Sequence, residues 1–296
     1  MARKATAESQ ATSAESAPDA GAAAPAPPAA APAAAERPGH VHMILQGKGG
    51  VGKSVAATLL AQYFTDQALN AERPCPPLYL DTDPATQTFL KYNAKGFAVE
   101  HIKIAEDDRI TINPAKFDEL FERIVTQEPR NDVVIDTGSS NFLNLIDYMK
   151  QVRIPEILPD QGYQLIIHVV LAGGNVLVDT VQSLDTICQQ FAEFHPLDII
   201  IWTNTVNGIV QTDKWQHFKQ SATAQGYAEH IRGYIDLPLL PADLQAKDFK
   251  KLLDHTDTFA LADQLPIYKW AERVRLRHLR NVIWQQIAKG LADITG

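Results

Sequence analysis

The chain has 296 residues, with 27 Lys plus Arg against 35 Asp plus Glu and a formal net charge of −8. A surface this acidic does not coat a nucleic acid, because phosphate binding depends on Lys and Arg displacing counterions; any such contact must be local. Two cysteines, Cys75 and Cys188, are too few for a disulfide framework or a four-thiolate zinc site within one chain, and no apolar run approaches the roughly 18 residues that cross a bilayer. With no apolar signal core at the N-terminus either, the expectation is a soluble, cytoplasmic protein without stable membrane insertion.

From Met1 to His40 the sequence is dominated by Ala and Pro. Pro at this density blocks helical turns, and without large apolar side chains nothing offsets the ordering entropy, so residues 1–40 read as a disordered Ala/Pro-rich tail. Its few charges nearly cancel, unlike a basic DNA-binding arm. The remaining stretch, 41–296, is about the length of one large α/β domain.

Val41 to Gln46 reads as a buried strand. Directly after it, Gly47-Lys48-Gly49-Gly50-Val51-Gly52-Lys53-Ser54 satisfies the phosphate-loop pattern G-x-x-x-x-G-K-[ST] and opens a helix carrying Val55, Leu59 and Leu60. The glycines let backbone N–H groups wrap phosphates, and the helix N-terminus adds partial positive charge. The backbone from Gly47 to Val55 is therefore expected to hold a nucleotide, with Lys53 on its β- and γ-phosphates and the Ser54 hydroxyl on Mg²⁺. A loop with Pro74, Cys75, Pro76 and Pro77 leads to a strand at Leu78 to Asp81, which ends in Asp81-Thr82-Asp83-Pro84. Pro114 to Thr126 reads as a helix capped by Asn113, with Phe117, Leu120, Phe121 and Ile124 on one face. Val133 to Asp136 is an apolar strand ending in a carboxylate, so Asp136 is expected to hold Mg²⁺ through water, and Gly138 follows where a backbone N–H can sense a γ-phosphate. Taken singly, each Asp equally suits a helix cap or a turn.

His168 interrupts the next strand, Leu165 to Leu171, and reads as a hydrogen-bonded core histidine; the histidines do not cluster, and no Ser-His-Asp or His-Glu-x-x-His arrangement is visible. The helix from about Val176 to Phe191 contains Cys188, and both cysteines read as structural or incidental. The strand Ile199 to Thr203 runs into Asn204-Thr205-Val206-Asn207, with Asn where the guanine-reading Asn-Lys-x-Asp pattern places Asp, so ATP is favoured. Asn204 is then a candidate adenine contact, or a plain turn residue. In the last helix, Pro266 to Ile294, Lys269, Arg273, Arg277 and Arg280 fall on one stripe, while Leu276, Leu279, Ile283, Ile287 and Ile294 form a separate apolar side. The stripe reads as a solvated basic face or a dock for an acidic protein segment, with non-specific DNA or a membrane surface as alternatives. Strands alternating with helices imply a mostly parallel sheet with helices on both faces.

The run from Lys48 to Ser54 resembles the deviant Walker A motif of the ParA/MinD family of P-loop ATPases. The resemblance implies an ATP-dependent homodimer in which Lys48 reaches the partner's phosphates, a charge placed much as an arginine finger is. Asp81-Thr82-Asp83-Pro84 resembles the family's switch I motif, which implies that Asp83 orients or activates the attacking water and that Asp81 lies near the metal's water shell. Lys48, Lys53 and Asp83 are thus the implied catalytic residues, and Ser54, Asp81 and Asp136 the implied metal set. The phrases Val41 to Gln46, Asp132 to Ser140, Ile167 to Val170, Gly173-Gly174 and Asp179-Thr180-Val181 resemble TraL-type conjugal transfer proteins. This likeness spans most of 41–296 and implies a bacterial protein of plasmid conjugation or maintenance. Two features depart from the ParA/MinD pattern: no Pro follows the Walker B Asp, and the spacing from Lys53 to Asp83 is long. Neither cysteine sits where an iron–sulfur relative would place its ligands. The alternative is a non-catalytic nucleotide-binding scaffold of a conjugative transfer complex; a small-molecule kinase on the same fold is weaker, because no second pocket motif is present.

Overall fold

Strands that are apolar at every position need cover on both faces, and the fold supplies it. The computed structural model describes residues 38–70, 77–106, 112–127, 131–194, 197–205, 208–211, 218–240 and 244–295. Residues 1–37, Cys75 and the loop prolines Pro74 and Pro76 lie outside the described residues, as do Val206 and Asn207. In chain order the elements are β1 (Gly39–Ile44), α1 (Lys53–Asn70), β2 (Leu78–Asp81), β3 (Glu100–His101), α2 (Lys116–Val125), β4 (Val133–Asp136), α3 (Phe142–Val152) and α4 (Ile154–Asp160). They continue with β5 (Tyr163–Ala172), α5 (Leu177–Gln190), β6 (Asp198–Asn204), α6 (Ala222–Gly226), β7 (Ile231–Asp236), α7 (Leu244–Asp254), α8 (Phe259–Gln264) and α9 (Trp270–Thr295). The seven strands form one sheet in the order β3-β2-β4-β1-β5-β6-β7, and every pairing is parallel.

Alternate residues of the central strands feed two cores. Val41 and Met43 of β1 pack with Phe117, Leu145 and Ile187 from α2, α3 and α5 on one face. Ile44, Val134, Val170 and Trp202 pack with Leu59, Leu60, Ile283 and Ile287 from α1 and α9 on the other. The expected apolar faces of α2 and α9 are the buried ones, and Cys188 lies in the first core with its thiol pushed up by burial to about 12.

Several boundaries move. β1 begins at Gly39, which pairs with Tyr163, so two residues assigned to the tail belong to the sheet. Asn113 accepts the Ala115 N–H at 3.0 Å and shapes the turn ahead of α2 rather than capping the helix itself. α9 starts at Trp270, four residues later than expected, because Glu272 accepts the Lys269 N–H at 2.6 Å and closes the first turn there. The edge strands β3 and β7 have no apolar alternation to announce them: β3 has two residues, and β7 is half-buried along most of its length.

The strand order fixes where a ligand can go. From β1 the chain moves to β2 on one side of β4 and later crosses to β5 on the other side of β1. A parallel sheet opens a crevice at such a switch point, outside the carboxyl ends of its strands.

Candidate nucleotide-binding site

The loop from Gln46 to Ser54 leaves β1 at that crevice. Gly50 and Gly52 have φ of +74° and +102°, a region that side chains rarely enter, so the loop can turn its N–H groups inward. Gly52 also lacks room: a Cβ there would lie 2.7 Å from the Asn204 Nδ2. Lys53 opens α1, is 8% exposed and donates to the Lys48 carbonyl at 3.2 Å. Burial lowers its pKa, while Asp136 and Asp83 pull the other way.

Asp136 ends β4 beside β1 and is completely buried. Among the described residues, neither of its carboxylate oxygens has a hydrogen-bond partner. Burial raises its pKa to about 8; Ser54 lowers it without reaching full hydrogen-bond geometry, Asp81 raises it and Lys53 lowers it. A buried carboxylate lacking partners, facing a hydroxyl and a lysine, fits a hard divalent cation held with Ser54. Asp81, by contrast, has a hydrogen-bond partner on each carboxylate oxygen. Its Oδ1 accepts the Asp83 N–H and its Oδ2 the Leu90 N–H, both at 2.8 Å, so it organises the loop after β2. Burial raises the Asp81 pKa and these two N–H groups lower it.

Asp83 sits on that loop, accepting the Ala85 N–H at 2.9 Å and the Thr86 hydroxyl at 2.5 Å. A Cβ on Gly138 would lie 2.8 Å from the Asp83 Oδ1, so the loops after β2 and β4 touch only because Gly138 has no side chain. Thr82 ties the two strands further, its N–H and hydroxyl both donating to the Asp136 carbonyl at 2.9 and 3.1 Å. The structure thus brings Lys53, Ser54, Asp83 and Asp136 to one place.

Lys48 pairs with Asp179 at the start of α5, Nζ to Oδ2 2.7 Å. The first half of the loop is fastened to the same helix. The buried Gln46 amide donates to the carbonyls of Val170 and Thr180 at 2.8 and 3.3 Å and accepts the Lys48 N–H at 3.2 Å, while the Gly47 N–H donates to the Ser183 hydroxyl at 3.3 Å. Asn204 fastens the second half, donating to the Val51 carbonyl at 2.8 Å. Its demonstrated contact is with the loop. The sequence reading gave Gln46, Asp179 and Ser183 no site role, because the contacts that tie the loop to β5 and α5 join residues more than a hundred positions apart.

The basic stripe is mostly committed elsewhere. Arg273 donates to the carbonyls of Tyr268 and Leu265 at 2.8 and 2.9 Å, and Arg277 pairs with Asp263 at 3.2 Å. Arg280 is half-buried, and Lys269 precedes the helix. Arg273 and Arg277 tie α9 to α8 and the turn behind it, while Lys269 and Arg277 keep exposed side chains. Among the described residues, no helix is long and apolar enough to cross a membrane.

A parallel sheet with a glycine-turned phosphate loop at its switch point and an Asp at the end of the neighbouring strand defines a P-loop nucleotide-binding protein. The chain is 34% identical over 252 residues to a Protein TraL of Escherichia coli, covering 83% of this chain and 96% of that protein. A second Protein TraL of Escherichia coli is 34% identical over 240 residues, covering 80% and 92%. The chain belongs to the TraL family. No family model matches it. Among solved structures it aligns with the MinD cell division protein of Aquifex aeolicus at 13% identity and TM-score 0.43, covering 82% of this chain and 97% of that one. It also aligns with a plasmid partition protein from Borrelia burgdorferi at 14% identity and TM-score 0.32, covering 74% and 96%.

Proposed function

We propose that the protein is a Mg²⁺-dependent ATPase switch that dimerises around ATP and hydrolyses it slowly to time a partner interaction in plasmid conjugation or maintenance. The observation that carries this reading is Asp136: a buried carboxylate without a hydrogen-bond partner among the described residues, set against Ser54 and Lys53 at the mouth of a phosphate loop. Magnesium bound there would neutralise charge building on the β- and γ-phosphate oxygens. The loop N–H groups and Lys53 would hold the phosphates, and Asp83, on a loop touching Gly138, would orient the attacking water. Asn204, seated beside Gly52, would bring its amide to adenine.

Lys48 would exchange Asp179 for the partner subunit's phosphates. Two features support a docking face at that point. An open cleft of about 500 Å³ lies beside Lys48, lined by Ser139, Phe142, Leu143, Asp179 and Gln182. Leu143 and Val178 are 60% and 75% exposed at the starts of α3 and α5. A DNA or transfer-complex partner reaching α9 would meet the exposed Lys269 and Arg277 rather than the whole stripe.

Lys53→Ala is expected to abolish nucleotide binding, whereas Asp83→Ala keeps binding and accumulates an ATP-bound dimer, read by phosphate release together with size-exclusion chromatography. Unchanged hydrolysis in Asp83→Ala removes that residue from the reaction. Tight ATP binding with no turnover, in the presence or absence of DNA, replaces the switch with a non-catalytic scaffold.

A further inference from the structure

At the opposite end of β1 the histidines that look scattered in the sequence come together. His40 and His42 lie two apart on the strand and so share a face, and Asp132 immediately precedes β4, the neighbouring strand. One nitrogen from each histidine and one oxygen of Asp132 lie within 4.8 Å of one another. We propose that His40, His42 and Asp132 form a binding site for a divalent transition-metal ion, of which zinc fits best.

Geometry supports this. Zinc bonds to nitrogen and oxygen are ~2.0–2.2 Å long, which sets tetrahedral ligand atoms roughly 3.4 Å apart. His40 Nδ1 and Asp132 Oδ1 are already 3.0 Å apart, so closing the site asks only for a side-chain adjustment at His42. The His40 and Asp132 side chains are 14% and 16% exposed, which leaves the ion a route in and room for a water as fourth ligand. Imidazole nitrogens suit zinc and its neighbours, whereas the hydroxyl and carboxylate at Ser54 and Asp136 suit magnesium, so the two ends of one strand select different ions.

A hydrogen-bonded wire backs the ligand that is fully buried. His42 Nδ1 lies 2.9 Å from His168 Nε2, and the Trp202 indole donates to His168 Nδ1 at 2.9 Å. An indole can only donate, so His168 carries its proton on Nε2 and gives it to His42 Nδ1; neutral His42 then keeps its own proton on Nε2. Among the described residues that buried Nε2 has no partner. The ion takes the place of its proton: at His42 the Nε2–H bond is exchanged for Nε2–metal and one proton leaves to solvent, while at His40 the Nδ1–H that bonds Asp132 is exchanged for Nδ1–metal, its proton moving to the Nε2 of the same ring, which stays neutral. The dication, the Asp132 carboxylate and the deprotonated His42–His168 pair then sum to no net charge, which suits a buried site, and the wire holds the ligating ring in place as outer partners do in metal sites.

The test is zinc titration of the full chain against a chromophoric chelator of micromolar strength, paired with the visible spectrum of the cobalt(II) form. One zinc per chain is expected, in Lys53→Ala as well as in the parent protein, with a tetrahedral cobalt spectrum. Affinity should fall about tenfold or more in His40→Ala and in Asp132→Asn. His42→Ala opens the core, so the partly exposed His40 carries the decision, with circular dichroism checking that each variant is folded. Failure of the parent chain to compete with the chelator overturns the site, and so does a zinc affinity that His40→Ala and Asp132→Asn leave unchanged.

Discussion

At its carboxyl end β1 runs into a loop whose charges stand beside one another in the sequence, while at its amino end the same strand carries a polar cluster assembled from β1, β5, β6 and the start of β4. The first end is built for exchange: a buried carboxylate has no hydrogen-bond partner among the described residues, and two loops meet through a residue without a side chain. The second is built mostly for permanence: among the described residues each nitrogen of the buried His42, His168 and Trp202 rings but one has a fixed neighbour, and that one is where the proposed ion would bind. The difference teaches that a motif concentrates function where the backbone itself does the binding. Side-chain sites have no such need for adjacency and can be scattered over a hundred residues.

The comparison is broken most directly at the loop. Gly52→Ala places a side chain at φ +102° and 2.7 Å from the Asn204 amide. It is expected to cost roughly 2 kcal/mol or more of stability and to remove nucleotide binding, followed by urea unfolding and a fluorescent ATP analogue. Retained binding would mean that the loop is not seated on Asn204.

A second experiment uses pH. Burial raises Asp136 to about 8, so between the ordinary carboxylate range and that value the folded chain holds a proton that the unfolded chain has released. The nucleotide-free protein should therefore lose stability as pH rises through this window, by at most about 1.4 kcal/mol per pH unit. Asp136→Asn should flatten that dependence in thermal unfolding. A variant as pH-sensitive as the parent chain would assign the effect to another group.

The smallest effect sharpens the contrast. Trp202→Phe keeps the bulk of the core but deprives His168 Nδ1 of its donor. The expected cost is about 1–3 kcal/mol of stability with ATP affinity unchanged. Loss of ATP binding in this variant would show that the two ends of the sheet do not act separately.

Much of the fold was legible because buried parallel strands are continuous apolar runs: Leu78–Asp81 and Val133–Asp136 stand where they were expected, and Leu165 to Leu171 only lengthens by a few residues. Edge elements such as β7 were not legible, since half-buried backbone needs no such pattern. Of the candidate site, the glycines, Lys53, Ser54, Asp83 and Asp136 could be read in order, because a phosphate loop is a local conformation followed by carboxylates at strand ends. The loop-capping bonds of Asp81 were not legible: an Asp at a strand end looks the same in sequence whether or not it also accepts the N–H groups of its own loop.

By itself the sequence determined the parallel α/β architecture, the phosphate loop and the residues chemically able to serve it, because apolar period, glycine and helix start all act over a few neighbours. Tertiary structure decided the rest. It fastened Lys48 to Asp179, spent Arg273 and Arg277 on α8 and the turn behind it, and drew His42, His168 and Trp202 into one wire beside the His40–Asp132 pair. Those outcomes depend on which strands become neighbours, and strand order is fixed by the closure of both cores together rather than by any one segment.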